Sequence, residues 1–379
     1  MNIGGIQKAL LELLKEAAKQ EKLAVSVFCV HKTGVFLKQI PEEITVLEEN
    51  RWAKISELPL KDCKGLGIRF FLSRGLASAW SKVFHKGLPA KLLCRLVGSL
   101  GEYDIAISYA QPIHDKHFCN LTNEIVLNCC EAKRKVTFVH CDFEKYGGNT
   151  AYNRKLYRQF DAVAAVSNSV GAVFGRCVPD MKNKVFTVYN VCDAEQVRRL
   201  AAVDTVEYTK KTVVTVARLS GEKGLSRCLR VFARLQAQGL SFAWHIVGGG
   251  PLEAQLRQEI SELGLEKTVI LEGMKENPYR FMKHADYLLL PSFHEAAPMV
   301  FDEAIALGLP ILSTDTLSAG ELVAQRNVGW VCENSEEGLY VLLRRALAAQ
   351  EKPQITAILD NEVRMAQFLA VCGLEEQQK

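Results

Sequence analysis

The sequence predicts an α/β protein built from two Rossmann-like, doubly wound domains. Three observations carry that reading. Short apolar runs rich in β-branched residues alternate with longer helical patterns along almost the whole chain, as parallel α/β layers require. The alternation comes as two successive sets, one in each half. The length, 379 residues, exceeds what one core holds, since a domain usually takes roughly 100–200 residues.

In chain order, Gly4 and Gly5 open directly into a helical stretch over 5–20. Strands are expected at 24–30 (AVSVFCV), 104–108 (DIAIS), 136–140 (VTFVH), 162–166 (AVAAV) and 185–189 (VFTVY), with further helices at 67–84, 149–159 and 168–177. The second set has strands at 212–217, 242–247, 268–271, 286–290 and 310–314, and helices at 223–237, 251–263, 276–284, 298–307 and 335–349. The sets part near 190–205. That gives a first domain over 1–195, a second over 196–350, and a closing helix within 351–379 that crosses back to the first. One element is missing. A doubly wound domain normally starts with a buried strand before its glycine turn and helix, and Met1–Ile3 leave no room for it. Either the first domain lacks that strand, leaving neighbours with unpaired edges, or the polypeptide starts earlier.

Composition excludes several classes. Apolar residues make up 48% and charged residues 24%, close to the globular average, which rules out a disordered chain or a collagen. No apolar run reaches the length of a membrane-spanning helix. The N-terminus lacks the basic-then-apolar order of a signal peptide, so a cytoplasmic protein is expected. The 12 cysteines form no CxxC pair and read as reduced thiols. His114 and His117 flank Asp115 without an evident further ligand, so a solvated loop is expected there, and no metal.

The net charge of +4 is uneven: residues 51–100 hold 10 basic and 2 acidic residues. Lys82, Lys86, Lys91 and Arg95 lie among or after Phe70, Phe71, Leu72, Leu76, Trp80, Val83 and Phe84. Such a mixture can rest on an anionic membrane face, or form a helix pair with a basic polar side. No reader motif points to nucleic acid.

The strongest local pattern is PSFHEAAPMVFDEAIALGLPILSTD, residues 291–315. Pro298 suits a first helical turn, Gly308 the left-handed position past the helix end, and Pro310 bars continuation. Glu295 then sits in the loop before the helix, and Glu303 inside it. A helix N-terminus favours a diphosphate, whereas carboxylates accept bonds from hydroxyls. A nucleotide sugar fits both. As a lone pair, the two glutamates would read as a helix cap and a solvated residue. In VVTVARLSGEKG, Arg218 and Lys223 follow a strand and can clamp a diphosphate; by themselves they would read as solvent-facing. In VGGGPLE the glycines let backbone approach a ligand or make a tight turn, and no GxGxxG fingerprint forms.

Taken in order, ARLSGEKG, VGGGPLE, LEG and ADYLLLPSFHEAAPMVFDEAIALGLPILSTD resemble the C-terminal half of retaining glycosyltransferases of family 4, which have the GT-B fold of two domains facing across a cleft. VTFVHCD, FDAVAAVSNSV, VFTVYNVCD and the Gly4–Gly5 pair have counterparts there too. The resemblance implies that Arg218 and Lys223 bind the donor diphosphate and stabilise the leaving group. It implies that Glu303 accepts bonds from ribose, and that Glu295 holds the transferred sugar with backbone amides near Ala296, Ala297, Pro298, Met299 and Val300. Gly273 would lie near the base, His140 would face sugar and acceptor, and Gly4 and Gly5 would let backbone close over the phosphates. Two departures are visible: Ala296 and Ala297 replace a commoner glycine and aromatic, and Gly249 stands where an acid is frequent.

The expected function is thus a metal-independent, retaining transferase with no cofactor. It would move a sugar from a nucleotide sugar, UDP-linked rather than GDP-linked, to a surface-glycan or lipid-linked saccharide at the inner membrane face. No DxD motif is present. The rival expectations are a GT-B binding or scaffold protein without turnover, and a sugar-nucleotide epimerase.

Overall fold

The structure is a computed structural model that describes residues 4–349 and 352–374. It divides into two compact units, one up to Val191 joined by the helix Asn361–Cys372, and one over Cys192–Asp360.

In the first unit, α1 (Gly5–Ala18) is the first described element, burying Ala9, Leu11, Leu13, Leu14 and Ala17. Among the described residues β1 (Ser26–Val27) and β2 (Thr45–Val46) pair only with each other. The apolar run 24–30 therefore gives a two-residue bridge and not a strand of the main sheet. Its composition suits a strand, but composition does not choose the partner: the run pairs with Thr45–Val46 and not with the main sheet. The helices α2 (Arg51–Lys54), α3 (Ile68–Val83), α4 (Gly87–Val97) and α5 (Thr122–Cys129) alternate with β3 (Glu102–Ser108) and β4 (Glu131–Val139). Then come α6 (Ala151–Tyr157), β5 (Ala162–Ala165), α7 (Asn168–Cys177) and β6 (Val185–Thr187). The main sheet is parallel in the order β3-β4-β5-β6, and among the described residues the outer edge of β3 has no strand partner. β5 is buried throughout, as expected of a strand covered on both faces. The closing helix docks here: Arg134 Nε donates to Val371 O at 3.0 Å and Tyr189 N to Gln367 Oε1 at 3.3 Å.

Lys86 departs from expectation. It does not join a basic surface but is fully buried, with Nζ 3.2 Å from Glu124 Oε1, which also accepts from Tyr152 OH at 3.1 Å. Phe70 is likewise buried. All twelve cysteines are free.

The second unit runs α8 (Ala194–Ala201), β7 (Thr212–Val216), α9 (Leu225–Ala237), β8 (Ala243–Val247), α10 (Glu253–Glu262), β9 (Val269–Gly273) and α11 (Tyr279–Met282). It continues with β10 (Tyr287–Leu290), α12 (Met299–Ala306), β11 (Ile311–Thr314), β12 (Gly329–Cys332) and α13 (Glu336–Ala348). Six parallel strands lie in the order β12-β11-β10-β7-β8-β9. This is the doubly wound order in which the winding reverses between β7 and β10, and ligands bind outside the carboxyl ends at that reversal. The core is set by period. On α9, Leu225, Cys228, Leu229, Phe232 and Leu235 recur at helical spacing and are buried against Trp244, whose ring stacks on Phe232 at 4.6 Å. Thr215 ties the strands together: its Oγ1 donates to Leu289 O at 2.7 Å and accepts from Trp244 Nε1 at 2.9 Å. Helices α4, α5 and α8 and strand β12 lie outside the elements expected from sequence.

Candidate functional site

The loops after β7 and β10 meet at the point of reversal. β7 leads through Arg218 into a 3-10 turn, Gly221–Lys223, and Gly224 starts α9 with φ +63°. A Cβ on Gly224 would lie 2.2 Å from Pro291 O, so both conformation and space require glycine. This close approach lets Phe293 N donate to Glu222 O at 2.8 Å. It also lets Lys223 Nζ reach Glu295 Oε1 at 2.5 Å. Ser292 Oγ donates to the same oxygen at 2.7 Å. Two residues 72 positions apart in sequence thus form one ion pair at the carboxyl edge of the sheet.

Beneath this pair lies a residue the sequence did not reveal. Arg227, one turn into α9, is 5% exposed. Its Nη2 donates to Pro291 O at 2.7 Å, Ser292 O at 3.1 Å and Asn334 Oδ1 at 2.6 Å, and its guanidinium lies 3.9 Å from the Phe293 ring centre. Asn334 Nδ2 in turn donates to Phe293 O at 3.0 Å. Arg227 therefore fixes the backbone from which Glu295 projects. No sequence signal marks it: an arginine in an amphipathic helix reads as surface, and its partners come from 64 or more positions away.

Arg218 is exposed at the end of the same strand. Burial pushes the Glu222 carboxyl up, but the Ser220 hydroxyl at 2.6 Å, its own amide, and the charges of Lys223 and Arg218 outweigh that and hold it below the usual carboxylate range. Pro298 is extended and stands just before α12, not in its first turn, and no side chain caps the helix. The first N–H groups of α12, from Met299 and Val300 on, thus have no capping side chain to satisfy them. Ala296 is buried, and Ala297 and Pro298 half-buried. Glu303 is 3% exposed, with the Tyr279 hydroxyl 3.5 Å from its Oε1. It is a buried carboxylate, not a solvated one. Gly308 has φ +67° past the helix end.

The glycine loop after β8 packs against the loop after β7. A Cβ on Gly248 would lie 1.9 Å from Ala217 O, and one on Gly250 2.4 Å from Leu219 O. Gly249 lies between them, its O accepting from Leu219 N at 3.0 Å and its outward side facing Met274. Gly273 has φ +74° and open space beside it, and its O accepts from Gly248 N at 2.9 Å.

The remaining expected residues belong to the first unit. His140, 9% exposed, follows β4. Burial pushes its imidazole down to about 4, against a smaller opposing effect from Tyr109 O. The Nε2–Tyr109 O distance is 2.6 Å. A carbonyl only accepts, so Nε2 carries the proton and Nδ1 keeps a lone pair. Gln111 Oε1 holds the backbone here, accepting from His140 N at 2.8 Å and Cys141 N at 2.9 Å. Gly4 is extended and precedes α1, a backbone conformation open to any residue, and the space beside Gly5 is open. His114 Nδ1 lies 3.2 Å from Asp115 Oδ1, but among the described residues no cluster of three or more potential metal ligands occurs.

Residues 199–357 match the family model described as glycosyl transferases group 1. The chain is similar to the amylovoran biosynthesis glycosyltransferase AmsK of Erwinia amylovora, 36% identical over 142 residues that cover 35% of each chain. It is similar to the putative colanic acid biosynthesis glycosyltransferase WcaL of Salmonella typhimurium, 34% identical over 36% of this chain and 38% of that protein. These matches thus span little more than a third of the relatives' length. The crystal structure of HepE from Anabaena in complex with UDP-glucose superposes with a TM-score of 0.62 at 17% identity, over 98% of this chain and 94% of that one. The fold is therefore that of the GT-B glycosyltransferases, two Rossmann-like units in one chain.

Proposed function

We propose that the chain is a glycosyltransferase of glycan biosynthesis that moves a sugar from a UDP-sugar to a saccharide acceptor, lipid-linked or on a growing surface glycan. The observation that carries this is the Lys223–Glu295 pair, held over the strand reversal of a unit that matches a glycosyltransferase family model. The names of the relatives, which act in amylovoran and colanic acid biosynthesis, support the product class. The UDP-glucose in HepE supports the donor class.

In the mechanism, the arriving diphosphate exchanges with Glu295 for Lys223. A carboxylate repels phosphate, and the released Glu295 accepts bonds from sugar hydroxyls instead. Breaking the bond between anomeric carbon and phosphate oxygen leaves positive charge on the sugar and negative charge on the diphosphate. Lys223, Arg218 and the uncapped N-terminus of α12 absorb the negative charge. The acceptor oxygen bonds to the anomeric carbon on the face the diphosphate leaves, so configuration is retained. Its proton passes to the departing phosphate oxygen. Glu303 takes the ribose hydroxyls. No step calls for a metal, and turnover should persist in EDTA.

The test is a panel of nucleotide sugars in a thermal-shift assay, followed by product analysis with saccharide acceptors. Stabilisation by UDP-sugars, with transfer and retained configuration, is expected. Binding without hydrolysis or transfer would make the chain a scaffold. Conversion of the donor with no acceptor present would make it an epimerase.

A further inference from the structure

We propose that the outward face of α3 and α4 is a docking surface for an anionic lipid bilayer. It extends the proposed function, since a lipid-borne acceptor lies at such a surface, but its observations stand on the first unit alone. Both helices already bury one face in a common core, with Phe70, Ala90, Leu93, Cys94 and Val97. Their opposite faces are apolar as well. On α3, Ile68, Leu72, Leu76, Trp80 and Val83 recur at steps of four and three and are 42–73% exposed. On α4, Leu88, Leu92 and Leu96 recur at steps of four and are 46–52% exposed. Single exposed apolar residues need no explanation, but a continuous stripe marks an interaction surface.

Charge selects the partner. Between Asp62 and Glu102 the sequence has no acidic residue. With Lys86 buried, the cations left exposed there are Lys64, Arg69, Lys82, Lys91 and Arg95. At 100° per residue, Lys91 and Arg95 fall beside the leucines of α4, and Lys82 beside the stripe of α3. A second copy of this chain would set these cations against their own equivalents, since a two-fold interface pairs like patches. A bilayer with anionic headgroups satisfies both features. The leucines enter the boundary between headgroup and acyl chain, while ammonium and guanidinium groups meet lipid phosphates. Trp80 and Phe84, with ring centres 4.6 Å apart, add the aromatic residues favoured at that depth. The face is pre-formed: Lys116 Nζ closes the end of α3 by donating to Val83 O at 2.8 Å and to Phe84 O.

The experiment is co-sedimentation of the full chain with vesicles of phosphatidylcholine alone, or of phosphatidylcholine with phosphatidylglycerol. Salt-sensitive binding to the second and little to the first is expected. Lys91→Glu or Arg95→Glu should weaken partitioning by roughly fivefold or more each, and Leu76→Glu or Leu92→Glu by roughly tenfold. Each variant should keep the wild-type thermal shift with UDP, which shows that it folds and that the donor unit is untouched. Equal binding to both vesicles, no binding, or full binding by the variants would overturn the proposal. So would light scattering that shows a dimer broken by Leu76→Glu. A wild-type chain that binds vesicles but no UDP would sink the transferase reading and leave this one standing.

Discussion

The two units are built from the same alternation of strand and helix, yet they differ in what they leave open. The second unit carries a complete six-stranded doubly wound sheet, and its open feature is the carboxyl edge at the β7–β10 reversal. The first unit has a four-stranded sheet whose β3 edge has no strand partner among the described residues, and its open feature is the apolar, basic side of α3 and α4. In one, charged groups from distant positions converge on a point, as chemistry requires. In the other, apolar groups spread along two helices, as adhesion requires. Polar convergence and apolar spread are thus separable, and variants should affect them independently.

The largest effect is expected at the point of convergence. Lys223→Ala should lower turnover about 100-fold with the fold intact, the loss typical of one transition-state donor. Single-turnover rates checked against circular dichroism would show it. A sharper contrast comes from Glu295→Gln. Because Glu295 competes for Lys223 and repels phosphate, this variant should bind UDP at least as tightly as wild type, by titration calorimetry, yet lose turnover with UDP-sugar. Weaker UDP binding would mean that Glu295 supports Lys223 instead of competing with it.

Next comes Arg227→Met. It leaves the Pro291 carbonyl without its buried Arg227 donor, while Ser292 O keeps the Thr314 hydroxyl, a cost of about 2 kcal/mol seen in denaturant unfolding. The loss of loop position should lower kcat more than it raises KM for the donor. An effect on stability alone would leave Arg227 a packing residue only. The smallest effect belongs to the first unit. His140 is neutral when folded, with its imidazole pushed down to about 4, while the unfolded chain takes up its proton near the ordinary histidine value. The unfolded state therefore binds more protons in between. The His140 contribution to stability is present above about 6.5 and is lost as pH falls towards about 4. His140→Gln should flatten that part of the stability profile.

The sequence made the second unit more legible than the first, for physical reasons. Strands such as 212–217 and 286–290 are buried on both faces and announce themselves as continuous apolar runs. Arg218, Lys223 and Glu295 lie in loops whose glycine and proline punctuation fixes where each strand ends. The run 24–30 looked the same locally, but a strand exists only if a neighbour pairs with it, and composition does not carry that information. Lys86 looked like its exposed neighbours because its partner, Glu124, comes from another helix. Arg227 is hidden for the same reason. What was missed depends on tertiary partners; what was found depends on local period and turn chemistry.

The central claim is that Lys223, held between two loops of the second unit, receives a nucleoside diphosphate. Its most direct test is calorimetric titration of UDP into the wild-type chain and into Lys223→Met. Binding by the wild type, weakened at least tenfold in the variant while the melting temperature of the free protein is unchanged, is the predicted result. Equal affinity in the two proteins would contradict it.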